Sequence, residues 1–427
     1  MNGLGVSGEG AFTAPRANIE ERVLRGQVLG RLRALGAGRV TVLEGGRRHE
    51  FGAPADDGLE AVVRVHDPRF FTAVALGGSV GAGESFMAGH WDADDLVAVV
   101  RLLVRNRAAL DGLEGGLARA ALPLLRAAHR MRRNDTGGSR ANIAAHYDLG
   151  NDFYALWLDE TLTYSCACFE HPQATLAEAQ RAKLDRVCRK LALGPGDHVL
   201  EIGTGWGAFA LHAAGTYGCR VTTTTISRAQ HELATERVRA AGLEDRVEVL
   251  LRDYRELSGR YDKLVSIEMI EAVGHEFLDV FLGRCAELLH ERGLMCLQSI
   301  TIADRHHDAA LRSVDFIQRH VFPGCYIPSL GSLTAALGRS GDLGVVHLED
   351  IGLHYARTLR HWRERFLARQ DEVRALGRDT TFLRLWEFYL AYCEGGFAER
   401  QISDVQLVLA KPRATVPPAP AALAPLA

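Results

Sequence analysis

A chain of 427 residues, 47% hydrophobic and 24% charged with a formal net charge of −3, has the make-up of a globular protein large enough for two or three compact units. The near-neutral charge excludes the basic excess of a general nucleic-acid binder, and eight cysteines are too sparse for a disulfide scaffold, so they read as reduced thiols in a cytoplasmic protein. No run approaches the roughly 20 apolar residues that cross a bilayer.

In chain order, residues 1–20 are Gly/Ala-rich, lack the apolar stretch of a signal peptide and are expected to be disordered. Residues 21–130 form a smaller unit, with strand-like alternation in RVTVLEGG and AVVRVHD followed by the helical stretch DLVAVVRLLVRNRAAL. That stretch has the apolarity to lie on lipid or to pack into a core, and packing is the favoured reading. Residues 131–140, MRRNDTGGSR, have linker composition. Arg126, Arg130, Arg132, Arg133 and Arg140 offer positive charge to anionic headgroups.

From 141 to 411, helical stretches alternate with the short apolar runs HVLEIGTG, RVTTTTIS, VEVLLRD, YDKLVSIEM, GLMCLQSITI and VQLVLAK. This alternation predicts βαβ units and an α/β fold with a mostly parallel sheet. The Pro/Ala-rich tail, 412–427, is expected to be disordered or extended.

The first of those strands runs into a glycine turn, Gly203-Thr204-Gly205-Trp206-Gly207, which lets backbone approach a ligand closely. The spacing is not that of a dinucleotide fingerprint. Glu201, just ahead of the glycines, suits a cationic ligand better than a phosphate and is the acid typical of class I methyltransferases. The next strand ends without an acid to hold a ribose. Thr225, Ser227 and Gln230 offer neutral hydrogen-bonding groups instead, and Asp253-Tyr254-Arg255 follows the third strand. His306-His307-Asp308 reads as a solvated loop, so no metal site is expected.

Longer blocks carry a resemblance. They are His146-Tyr147-Asp148-Leu149-Gly150-Asn151-Asp152-Phe153-Tyr154, Thr163-Tyr164-Ser165-Cys166-Ala167, Ser266-Ile267-Glu268-Met269-Ile270-Glu271-Ala272-Val273-Gly274, Phe322-Pro323-Gly324, His354-Tyr355-Ala356-Arg357 and Phe388-Tyr389-Leu390-Ala391-Tyr392. In order, they resemble the cyclopropane-fatty-acyl-phospholipid synthase family, which includes mycolic acid cyclopropane synthases and fatty-acid methylene transferases. Gly83-Glu84-Ser85-Phe86-Met87 through Trp91 is similar to that family's accessory domain.

The resemblance implies a Rossmann-like S-adenosylmethionine-dependent fold with an N-terminal accessory domain. It implies that Tyr147, Tyr164, Ser165, Glu201, Gly203, Thr204, Gly205, Thr225, Gln230 and Tyr254 line the cofactor site. It further implies that Cys166, Glu271, Ile300 and Tyr355 surround a bound bicarbonate, with Gln298 standing where the family usually has histidine. Gln298 still hydrogen-bonds but cannot carry a proton. Tyr, Phe and Trp in the blocks FYALW and WEFYLAY have the aromatic faces to wall a carbocation. No step needs a covalent cysteine. The partners implied are unsaturated phospholipid acyl chains, met from the aqueous side at the inner membrane surface, and a homodimer is compatible with the family. Gln298 favours a methylene-branched product over a cyclopropane, the two standing nearly level. A small-molecule methyltransferase on the same fold and a non-catalytic lipid-binding protein are the competing readings.

Overall fold

The computed structural model of the chain describes residues 19–108 and 149–423. Tyr147, the 131–140 linker and the five arginines between 126 and 140 lie outside the described residues, as do 1–18 and 424–427.

Helix α1 (Ile19–Leu32) precedes strands β1 (Gly38–Glu44), β2 (Arg47–Ala53) and β3 (Glu60–Val65), then α2 (Arg69–Met87), β4 (Trp91–Ala93) and α3 (Leu96–Arg105). The strands form one sheet in the order β2-β1-β3-β4. Gly45 and Gly46, both at positive φ, make the tight turn that pairs β1 with β2 antiparallel. Asp95 caps α3 by accepting from the Ala98 N–H.

The second unit begins with α4 (Asn151–Trp157) and α5 (Leu176–Lys190). It continues through β5 (His198–Ile202), α6 (Ala208–His212), β6 (Arg220–Thr225), α7 (Arg228–Ala240), β7 (Val247–Leu251) and β8 (Tyr261–Ile267). Then come α8 (Leu278–Leu288), β9 (Leu289–Ile302), α9 (Asp304–Leu311), α10 (Phe316–His320), α11 (Leu330–Ser340) and β10 (Gly344–Asp350). Helices α12 (Gly352–Ala368), α13 (Gln370–Ala375) and α14 (Thr380–Ala398) lead to β11 (Ile402–Ala410).

These strands form a seven-stranded sheet in the order β7-β6-β5-β8-β9-β11-β10. β5 through β9 run parallel, while β11 lies antiparallel to both β9 and β10. The α/β architecture with a mostly parallel sheet and a smaller N-terminal unit is the one expected. The chain goes outward from β5 through β6 and β7, then returns to β8 on the other side of β5. The crevice at the carboxyl ends of β5 and β8 is therefore the topological switch point, where ligands of open α/β sheets bind.

The two units share a core. Phe71, Phe86, Trp91, Val97 and Leu102 belong to the same buried cluster as Trp362, Trp386, Phe388 and Phe397. The α3 stretch is packed into it, not laid open to lipid: Leu96 through Val100 and Leu102 are all buried. Polar clamps reinforce the contact. Arg384 donates to the Trp91 carbonyl and to Asp92 Oδ1, each at 2.7 Å, and Arg101 and Arg105 each reach Glu399 at 2.7 Å.

The tail is without helix or strand through residue 423, and Arg186 Nη2 donates to the Ala421 carbonyl at 2.7 Å. One expectation is corrected. His306-His307-Asp308 is on helix α9, not in a loop, and His307 Nε2 lies 2.7 Å from the Tyr326 hydroxyl.

Candidate active site

At the end of β5, Gly203 and Gly205 adopt φ of +105° and +52°, a region that side chains strain. The N–H groups of Gly203 and Thr204 both donate to the Thr224 carbonyl, pinning the turn against β6. A Cβ on Gly203 would stand 3.1 Å from Met269 Cβ and Cγ, whereas at Gly205 nothing lies within 4 Å. The turn thus closes on one side and opens into a cavity on the other. Gly203→Ala is expected to weaken S-adenosylmethionine binding at least tenfold, through backbone strain and the push on Met269; isothermal calorimetry checks it.

The cavity measures about 1020 Å³, at the upper end of the roughly 300–1000 Å³ usual for ligand sites. Every cofactor-site residue expected from the sequence lines it, Tyr147 excepted. Glu201 is buried, accepts from Thr223 Oγ1 at 2.6 Å, and its carboxyl is pushed up to about 8 by burial. A cationic ligand beside it would restore its charge. Thr225 Oγ1 donates to Gln230 Oε1 at 2.8 Å, orienting that amide. Ser165 Oγ accepts from the fully buried Lys183 at 2.6 Å, and the Tyr164 and Tyr389 hydroxyls meet at 2.7 Å. This donor set fits a sulfonium nucleoside, with Glu201 for its positive charge, Thr225 and Gln230 for neutral hydroxyls and Tyr254 as a flat wall.

The expected bicarbonate residues do not converge in the expected way. Cys166 is fully buried and outside the cavity lining, its thiol turned to the Ala167 and Ile351 carbonyls and pushed well above its usual value by burial. Its backbone N–H donates to Glu268 Oε1 at 2.8 Å. Glu268 Oε1 also accepts from Gln298 Nε2 at 2.8 Å, and Glu268 Oε2 accepts from the Tyr355 hydroxyl at 2.7 Å. Burial and Glu268 keep the Tyr355 phenol far above its ordinary pKa, so it stays a donor.

Glu271 stands apart from those donors. Its Oε1 accepts from the Ile300 N–H at 2.6 Å and from Ser299 Oγ at 3.1 Å, while Oε2 is buried without a hydrogen-bond partner. Burial first, then Glu268, pushes its carboxyl up to about 8. Ile300 takes part through its backbone. Three of the groups expected to hold bicarbonate are thus engaged by a side chain, so the site does not fit that ion.

The amide orientation of Gln298 follows from its neighbours. The buried Lys190 ammonium donates to Gln406 Oε1 at 2.6 Å, which turns Gln406 Nε2 to Gln298 Oε1 at 3.0 Å. Gln298 Nε2 must then face Glu268 and Asp404 Oδ2, each at 2.8 Å. Asp404, fully buried on β11, has its carboxyl raised well above the usual value by burial and then by Glu268.

Sequence reasoning missed Glu268 and Asp404. The available signals were an acid within the apolar run ISDVQLVLA and a second carboxylate three residues before Glu271. Of the aromatic blocks, Phe153, Tyr154 and Trp157 are buried core, whereas Phe388, Tyr389 and Tyr392 line the cavity.

The sequence profile of the mycolic acid cyclopropane synthetase family matches residues 134–407. The chain belongs to this family. It is an S-adenosylmethionine-dependent transferase of the kind that modifies lipid chains. A family relative, the tuberculostearic acid methyltransferase UfaA1 of Mycobacterium tuberculosis, is 40% identical over 339 residues, covering 78% of this chain and 79% of that one. The cyclopropane-fatty-acyl-phospholipid synthase of Escherichia coli K12 is 36% identical over 361 residues, covering 84% and 88%. The mycolic acid cyclopropane synthase CmaA1, solved with SAH and CTAB, superposes with a TM-score of 0.60 at 33% identity, covering 64% of this chain and 98% of that one.

Proposed function

We propose that the protein transfers a one-carbon unit from S-adenosylmethionine to the cis double bond of an unsaturated acyl chain in a phospholipid, giving a methylene-branched fatty acid. The observation that carries this reading is the reach of one cavity. The glycine turn, Glu268 and Tyr355 share its wall with apolar side chains that include Leu76 and Val80 of α2, Val99 and Leu103 of α3, and Ile317 and Phe388. An acyl chain needs apolar wall of this extent; a small polar methyl acceptor does not.

The π electrons of the double bond attack the donor methyl carbon as the carbon–sulfur bond breaks, leaving a cation on the acyl chain. Aromatic faces such as Tyr389 and the stacked pair Tyr355–Phe397, 4.3 Å between centroids, suit a positive charge and exclude water. Gln298 and the 40% identity to a relative named a methyltransferase favour the open, methylene product over ring closure. No helix among the described residues is long and apolar enough to cross a membrane; the chain is proposed to take its substrate at the membrane surface.

Incubation with methyl-labelled S-adenosylmethionine and oleoyl phospholipid vesicles tests this reading. The expected acyl chain is heavier by one CH2 and shows vinylidene protons in its NMR spectrum. Shielded ring protons would make the product a cyclopropane. No labelled acyl chain, with cofactor binding intact, would discard the lipid reading.

A further inference from the structure

We infer that Glu268 is the general base of the reaction, its own carboxylate standing among the donors expected to hold bicarbonate and taking the proton from the transferred methyl group. The inference rests on the proposed acyl-chain methylation and deepens it.

Four observations support it. Glu268 lines the cavity and is only partly buried. The Cys166 N–H, Gln298 Nε2–H and Tyr355 O–H, contributed by segments 102, 30 and 87 residues away, all converge on its two oxygens. Three donors on one carboxylate make a fixed acceptor, aligned in advance of the reaction. The backbone of Glu268 has φ of +48°, one of four non-glycine residues with positive φ among the described residues. Such a conformation costs roughly 1–3 kcal/mol and persists at functional sites. A carboxylate serving only as a structural pin has no need of that backbone or of a place in the cavity wall. Finally, Gln298, held as a donor by Lys190 and Gln406, supports an acceptor beside it and cannot itself take a proton.

In the step, one C–H bond of the transferred methyl group breaks and its proton goes to a Glu268 oxygen. The electron pair left behind forms the exocyclic double bond after a hydride shift, or the closing bond of a ring without one. Charge balances, since the cation and the carboxylate are both neutralised. No external anion is consumed. The proton then leaves to solvent after product release.

The test compares wild type, Glu268→Gln and Glu268→Gly in carbonate-depleted buffer, with and without added bicarbonate or formate. It reads labelled acyl product alongside calorimetric S-adenosylmethionine binding. Wild type is expected to turn over equally, within about twofold, with and without bicarbonate. Glu268→Gln should keep cofactor binding but lose roughly 100-fold or more in kcat, the scale of a lost general base. Glu268→Gly relieves the backbone and empties a carboxylate-sized space against the three donors, so added bicarbonate or formate should restore turnover. Wild-type activity that collapses without bicarbonate, or Glu268→Gln turning over at the wild-type rate, overturns the assignment. Wild type that forms no acyl product at all would instead overturn the functional reading beneath it.

Discussion

Gly83→Ala is expected to raise the lipid concentration needed for half-maximal rate about tenfold, with S-adenosylmethionine affinity unchanged. A Cβ at this position of α2 would overlap the ring of Phe316 and come 2.9 Å from Phe388. Those two rings already pack edge to face at 4.6 Å between centroids, leaving little slack. The methyl group must therefore push α2 away from α10 and α14. Overpacking of this kind costs about 1–3 kcal/mol, and 1.4 kcal/mol is tenfold in an equilibrium constant. Because α2 supplies Leu76 and Val80 to the cavity wall, the displacement falls on that apolar wall and not on the glycine turn. Vesicle kinetics paired with calorimetry separates the two. An unchanged lipid requirement would mean that the rings swing aside without moving the wall.

Glu271→Gln is expected to become more stable relative to wild type as pH rises from 6 to 9, by about 2 kcal/mol, measured by denaturant unfolding at each pH. The carboxyl of Glu271 is raised from 4.5 to about 8 in the folded protein, chiefly by burial. The folded state therefore favours the protonated form, and the stability this lends is fully present below about pH 4.5. It is lost as pH rises through about 8, where the buried group must ionise. Glutamine is neutral throughout. Its Oε1 can still accept from Ile300 and Ser299, while its Nε2 occupies the place of the unpartnered Oε2. A stability difference that is flat between pH 6 and 9 would show that Glu271 is ionised in the folded state throughout.

Local signals made the fold legible. Apolar runs separated by helical stretches require a parallel sheet, and the glycine turn after the first of them marks the switch point because nothing else allows backbone that close to a ligand. Glu201, Gly203, Thr204, Gly205 and Thr225 face one cavity for a related reason: they sit at the ends of β5 and β6, and the carboxyl ends of parallel strands meet in one crevice by construction. The acidic cluster was not legible. Period-two alternation tells which face of β9 Gln298 occupies, but not that Gln406 lies directly opposite on β11, 108 residues later, with Lys190 behind it. Nor does the string Ser266-Ile267-Glu268-Met269-Ile270-Glu271 reveal that Glu268 turns into a left-handed conformation while Glu271 reaches back to the Ile300 N–H. Resemblance pointed to Glu271; side-chain geometry places Glu268, not Glu271, against the Cys166 N–H, Gln298 and Tyr355.

The row Lys190–Gln406–Gln298 also has a direction. Each amide in it could in principle be read either way round, and turning Gln298 alone would set its carbonyl against both Glu268 and Asp404. The two glutamines can reverse only together, and the ammonium of Lys190, clamped to Glu349 at 2.7 Å, admits a single sense. Whether the reaction chamber presents a hydrogen or a lone pair to Glu268 is therefore decided by a lysine that never enters the chamber, much as a compass needle is set by a magnet outside its case.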